Sequence, residues 1–202
     1  MNELINEIKK ELHANMNGIA SAHMRQTEDY RLNWGIELPR LANMADEIAH
    51  SGDFIGPNAS EETLRQLAQA LWHEQVRECK ILACMLMPPA AFAEDLCDMW
   101  VDSIHTEEIA SIFCLHVVKR LPYVSKKAFE WMASERPILQ TCGFMCLCHL
   151  LREHELSESA EAEFLDQAEA SSDNRYALKA LQIYAALGKE QARKVKKIAD
   201  FL

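Results

Sequence analysis

Turn-forming residues are scarce in this chain, with six glycines and six prolines among 202 residues. Nearly half the residues are hydrophobic and a quarter charged. A composition of that kind excludes intrinsic disorder and points to a folded, helix-rich, soluble protein. Long apolar runs are missing too. The longest spans residues 81–87, far short of the ~20 residues a membrane helix needs. The first sixteen residues, "MNELINEIKKELHANM", are amphipathic and acidic, unlike a secretory leader, so a cytoplasmic location is the expectation. Cations are also in deficit, and the net charge is −10. That weighs against a generic nucleic-acid binder, whose affinity comes from Lys and Arg on phosphates. The seven cysteines are odd in number and sit in apolar contexts, so they read as buried thiols rather than a disulfide framework.

Motifs that would announce common chemistries are absent as well. There is no phosphate-cradling glycine loop, no G-x-G-x-x-G and no G-x-S-x-G elbow. His73 is followed by Glu74 without the second histidine of a zinc protease. Cys142, Cys146 and His149 share a helical stripe that could ligate zinc, but they alternate with Phe144, Met145, Leu147 and Leu150, as in a helix buried all round. No metal and no cofactor are expected.

What is present is helical periodicity nearly throughout, with no run of strand alternation. Helices are expected over 3–16, 38–49, 60–72, 74–87, 90–103, 106–120, 125–134, 137–153, 158–170, 174–187 and 189–201, with a loop at 51–60. Pro39 suits a first helical turn, and Ser60 suits a helix cap. Connections of a few residues imply antiparallel neighbours. Grouped in pairs, the units begin near 60, 90, 125 and 158, a recurrence close to that of HEAT-type helical-pair solenoids. The expected fold is therefore all-α: one domain over 1–202, a right-handed superhelical array of antiparallel helix pairs, with N-terminal helices over 1–50 and helix pairs over 60–202. Such arrays present a concave face to extended partners.

Charge is distributed unevenly. Residues 171–202 hold seven Lys or Arg against three acids, so the acidic excess lies upstream. Lys119-Arg120 and Lys126-Lys127 bracket "LPYVS", and "ARKVKKIADFL" (192–202) forms an amphipathic cationic end; either could contact phosphates. Glu74, Arg77, Glu78 and Lys80 read as a solvated edge, and Trp72 as a packing anchor. In "EDLCDMWVDSI" (94–104), Glu94, Asp98 and Asp102 follow an i, i+4, i+8 spacing, which places three carboxylates on one helix face.

Four segments in order and spacing carry a family resemblance: "NWGIELPRLANMADEIA" (33–49), "ALWHEQVRECKILACML" (70–86), "EDLCDMWVDSI" (94–104) and "AFEWMASERPILQTCGFMCL" (128–147). Together they resemble the DNA alkylation repair, or AlkD-like, group of HEAT-like-repeat DNA glycosylases, over residues 30–190. The resemblance implies a concave cationic groove for duplex DNA and excision of N3- or N7-alkylated purines without flipping the base into a pocket. It also implies an aspartate that stabilises positive charge developing on the sugar, aided by tryptophans and an arginine.

Carried onto this chain, the aspartate falls on Asp98, or on Asp102 if "VDSI" sets the register. The tryptophan position four residues earlier is Glu94, the arginine position is Thr141, and a later tryptophan and arginine are Ile183 and Ala186. Lys119, Arg120, Lys126, Lys127 and Lys179 are the expected DNA contacts. Losing the aromatics and both cations while gaining Glu94 makes classical excision the less favoured outcome. A non-catalytic HEAT-like module that binds a protein or a nucleic acid is the alternative. In either case the chain is expected to be a monomer with no membrane partner.

Overall fold

A computed structural model describes residues 1–27, 30–50, 54–55 and 59–199. The loop expected at 51–60 lies mostly outside the described residues, as does the end of the expected terminal helix. Among the described residues there is no strand, and no helix is long and apolar enough to cross a membrane. The helices form two compact units, Met1–Leu121 and Pro122–Leu202.

The first unit contains α1 (Asn2–Ala14), α2 (Gly18–Thr27), α3 (Leu38–His50), α4 (Glu61–His73), α5 (Arg77–Leu86), α6 (Glu94–Asp102) and α7 (Glu107–His116). Short 3₁₀ turns cover Pro89–Ala91 and Val118–Arg120. Two elements start where the sequence supplies caps. Ser60 Oγ accepts from the Thr63 amide at 3.1 Å, and Thr106 Oγ1 accepts from the Ile109 amide at 3.4 Å. The helix expected over 90–103 is a 3₁₀ turn followed by α6, because Pro88-Pro89 removes backbone donors at its start. The segment 106–120 likewise breaks at Val117 into α7 and a 3₁₀ turn.

This unit's core is aromatic. Trp72 of α4 and Trp100 of α6 stack with centroids 4.1 Å apart and planes 2° apart, and Phe92 meets Trp100 edge-on at 5.0 Å. Offset and edge-to-face pairs of this type contribute beyond their buried area. Trp72 also satisfies its indole N–H on Ser103 Oγ at 3.0 Å.

The extended segment 32–37 crosses this unit as backbone outside any helix. Its polar groups need partners, and the start of α5 supplies them. The Trp34 and Ile36 amides donate to the Glu78 carboxylate at 3.1 and 3.3 Å, and Arg77 donates to the Ile36 carbonyl at 2.9 Å. Arg77 also forms a fork with Glu108 at 2.7 and 2.5 Å, and the Tyr30 hydroxyl donates to the same carboxylate. Arg77 and Glu78 are thus buried, which corrects the solvated edge expected at these positions. Gly35 (φ 71°) allows the segment its approach to α2: a Cβ there would lie 2.3 Å from the Asn17 carbonyl oxygen.

The second unit contains α8 (Val124–Met132), α9 (Pro137–Glu153), α10 (Glu158–Ala170), α11 (Arg175–Leu187) and α12 (Lys189–Ala199). Pro137 opens α9, and Ser157 and Asn174 cap α10 and α11. α9 is the central helix and packs against both α8 and α11. Gly143 brings α8 in close, since a Cβ there would meet the Met132 amide nitrogen at 2.5 Å and the Ala128 carbonyl oxygen at 2.7 Å. Phe144, Leu147, Leu151, Phe164, Leu181 and Tyr184 form the core.

Candidate nucleic-acid interface

All seven cysteines are buried free thiols. Burial raises the pKa of Cys79 to about 12 and that of Cys148 to about 11, so these thiols stay protonated and unreactive. Among the described residues no cluster of three His, Cys, Asp or Glu side chains is arranged to hold a metal ion.

The carboxylates of α6 occupy one face of a short helix. Glu94 is its first residue and Asp95 its second, so both complement the exposed amides of the helix N-terminus. Glu94 and Asp98 are half-buried, and Asp102 is exposed at the helix end. Trp100, two residues from Asp98, points the other way into the core and is 2% exposed. The remaining tryptophans are equally inaccessible: Trp34, Trp72 and Trp131 are 8%, 3% and 3% exposed. None stands on the surface to meet a lesion.

Of the substituted family positions, Glu94 lies in α6 of the first unit and the other three lie in the second. Thr141 is buried in α9, where its hydroxyl accepts from the Asn174 amide group at 3.2 Å, tying α9 to the start of α11. Ile183 packs against the unit's core, and Ala186 is exposed.

The expected phosphate contacts divide by partner. Lys127 is buried at 4% exposure with its ammonium 2.9 Å from Glu130, so it is not presented to a phosphate, a correction to the expectation. Adjacent helical positions point about 100° apart, so Lys126 and Lys127 need not share a face. Lys126 is exposed, with Glu130 at 3.7 Å. By contrast Lys119 and Arg120 are exposed at the end of the first unit, and neither pairs with a carboxylate among the described residues. Their effect shows on His116, whose pKa is lowered by burial and then by Arg120 and Lys119.

A second cationic group gathers on α9 and α11. Lys179 is exposed without a carboxylate partner among the described residues, and so is Arg152. Both act on the Cys148 thiol, drawing its pKa down against burial. On α11 the Tyr176 ring has the Arg175 guanidinium 5.0 Å and the Lys179 ammonium 5.7 Å from its centroid. Of this group only Lys179 was among the contacts expected from sequence; Arg152, Arg175 and Tyr176 were not. The i, i+4 spacing of Arg175 and Lys179 was a usable signal, whereas nothing in sequence joins Arg152 to them. On α12, Lys194 is engaged by Glu161 and by Glu190 at 3.4 Å, whereas Arg193, Lys196 and Lys197 are exposed without a carboxylate partner among the described residues.

An exposed, uncompensated Lys or Arg in a chain of net charge −10 is a local departure from the whole. Chemically, Lys119, Arg120, Lys179 and Arg152 can take phosphate oxygens without first breaking an ion pair among the described residues.

The model of a family described as DNA alkylation repair enzyme matches residues 7–178. A solved structure described as "a new family of proteins related to the HEAT-like repeat DNA glycosylases with affinity for branched DNA structures" is similar with a TM-score of 0.75 and 16% identity. The similarity covers 96% of this chain and 81% of that one. It establishes an all-helical, HEAT-like fold. No curated protein matches the chain.

Proposed function

Because the chain belongs to the DNA alkylation repair enzyme family, we propose that it binds DNA through exposed cations and does not excise alkylated bases. The observation that carries this reading is a contrast on the surface: uncompensated cations are exposed, and all four tryptophans are buried. Family excision, as the resemblance implies it, requires aromatic contact with the lesion and the sugar beside the aspartate. Here the position four residues before Asp98 carries Glu94, which would repel an approaching strand. Thr141, Ile183 and Ala186 supply neither the missing charge nor the missing ring.

Lys119, Arg120, Lys179 and Arg152 are the uncompensated phosphate contacts in this reading, joined by the exposed but already engaged Lys126 and Arg175, and Asp98 is a vestige of the excision site. The similar solved structure belongs to proteins with affinity for branched DNA. A surface that holds backbones without reading bases suits such a target, since a junction concentrates phosphates from several strands.

The test is fluorescence anisotropy with a four-way junction and a duplex of matched sequence, titrated at several salt concentrations. The reading predicts binding that weakens steeply with salt and is tighter for the junction. No binding to either DNA, or binding indifferent to salt, would overturn it.

A further inference from the structure

A cleft of about 330 Å³ opens in the first unit between the segment before Trp34, the start of α5 and the loop joining α6 to α7. It has no part in the interface proposed above. Its lining is chemically distinctive. Arg31, Arg77, Lys80 and His105 face it, and no carboxylate lines it among the described residues. In a chain with 31 acidic and 21 basic residues, a concave site with that balance selects anions.

The cations differ in how far they are already satisfied. Arg77 is neutralised by Glu108 and Glu78 and forms part of the floor. Lys80 is not neutralised. Its ammonium donates to the Trp72 carbonyl at 3.0 Å and lies 4.3 Å from the centroid of the Trp72 ring, with no carboxylate partner among the described residues. Burial lowers its pKa, as expected for a half-buried ammonium that lacks a counter-ion. Arg31 is exposed and also lacks a carboxylate partner among the described residues. The same lining includes apolar Leu32, Val76, Ile104 and Ile109.

A cleft lined by both such cations and apolar side chains is complementary to a phosphomonoester that carries a flat or ring-shaped group. The volume lies within the range of small-ligand pockets. We propose that this cleft binds a 5′-phosphorylated nucleotide unit, with Lys80 and Arg31 on the phosphate and the Leu32, Val76 and Ile104 side chains against the sugar and base. The same chemistry comes from a free mononucleotide or from the 5′-phosphate at a DNA end. Either would supply the counter-ion that Lys80 lacks.

Calorimetric titration of the full chain with dAMP and with deoxyadenosine tests the phosphate requirement. Duplexes labelled at the 3′ end and carrying either a 5′-phosphate or a 5′-hydroxyl test the source. Tighter binding of dAMP than of deoxyadenosine, by about tenfold, is expected from one charge-assisted contact. Lys80→Met and Arg31→Gln should each reduce that advantage severalfold. A 5′-phosphate preference reduced in the same variants identifies the DNA end, and dAMP binding without an end preference identifies the free nucleotide. Equal or absent binding of dAMP and deoxyadenosine, with no end preference, overturns the proposal. So does a phosphate preference that survives both substitutions undiminished, since the phosphate then sits elsewhere. Arg31 is exposed and outside any helix, so its variant keeps the test valid should Lys80→Met disturb the packing on Trp72.

Discussion

Replacing Arg152, Arg175 and Lys179 together by glutamine removes the cationic group of the second unit without touching its core. Arg175 and Lys179 lie on the exposed side of α11, and Arg152 on the exposed last turn of α9. Each phosphate contact contributes about 0.9 to the slope of log K against log salt on duplex DNA. Three contacts therefore contribute about 2.7. Between ~50 and ~200 mM salt, the wild type should lose about 40-fold more affinity than the triple variant. Folding should be nearly unaffected, since exposed substitutions typically shift stability within about 0.5 kcal/mol. Anisotropy at four or five salt concentrations measures the slope, and thermal unfolding checks the fold. Lys194→Gln serves as a control: its ammonium is held by Glu161 and Glu190, so the slope should barely change. A triple variant with the wild-type slope would refute the assignment of phosphates to this face.

Three further perturbations probe the scaffold. Gly143→Ala should lower the urea midpoint, because the new methyl meets α8 backbone and costs roughly 1–3 kcal/mol of overpacking, against ~1 kcal/mol gained in helix propensity; an increased midpoint would contradict the close approach. Glu108→Gln should cost about 2–3 kcal/mol at neutral pH by weakening the fork to buried Arg77. Burial alone would raise the Glu108 pKa, but hydrogen bonds from Arg77 and Tyr30 hold it below its ordinary value. Its contribution is thus present above pH ~4.3 and lost as pH falls through the lower folded value, so the variant should show a flatter acid limb in stability. Trp100→Phe should destabilise by about 1–3 kcal/mol through loss of the stack on Trp72, while junction affinity stays unchanged.

How much of this was legible beforehand varied with the kind of signal. α9 and α10 begin and end where sequence placed them, because Pro137 and Ser157 mark their starts. α2 was not recognised: "GIASAHMRQT" has no apolar stripe, and its Ile19 is 87% exposed. That Trp100 faces away from Asp98 followed from helical geometry alone. The burial of Arg77 and Glu78 did not, since their partners are backbone groups of residues 34 and 36, about forty positions earlier. Charged residues satisfied by distant backbone leave no periodic trace. Lys127 was misjudged for a related reason: adjacent lysines look equivalent in sequence, yet one faces the core. The α9–α11 cationic group had the same weakness, because it joins residues from separate helices.

The most direct test of the central claim is single-turnover release of 7-methylguanine and 3-methyladenine from alkylated duplex DNA at saturating protein. With every tryptophan buried and Glu94 beside Asp98, the account predicts release no faster than the spontaneous rate, under conditions where anisotropy shows the DNA to be bound. Release above that rate, abolished by Asp98→Asn, would contradict it and restore Asp98 as a catalytic residue.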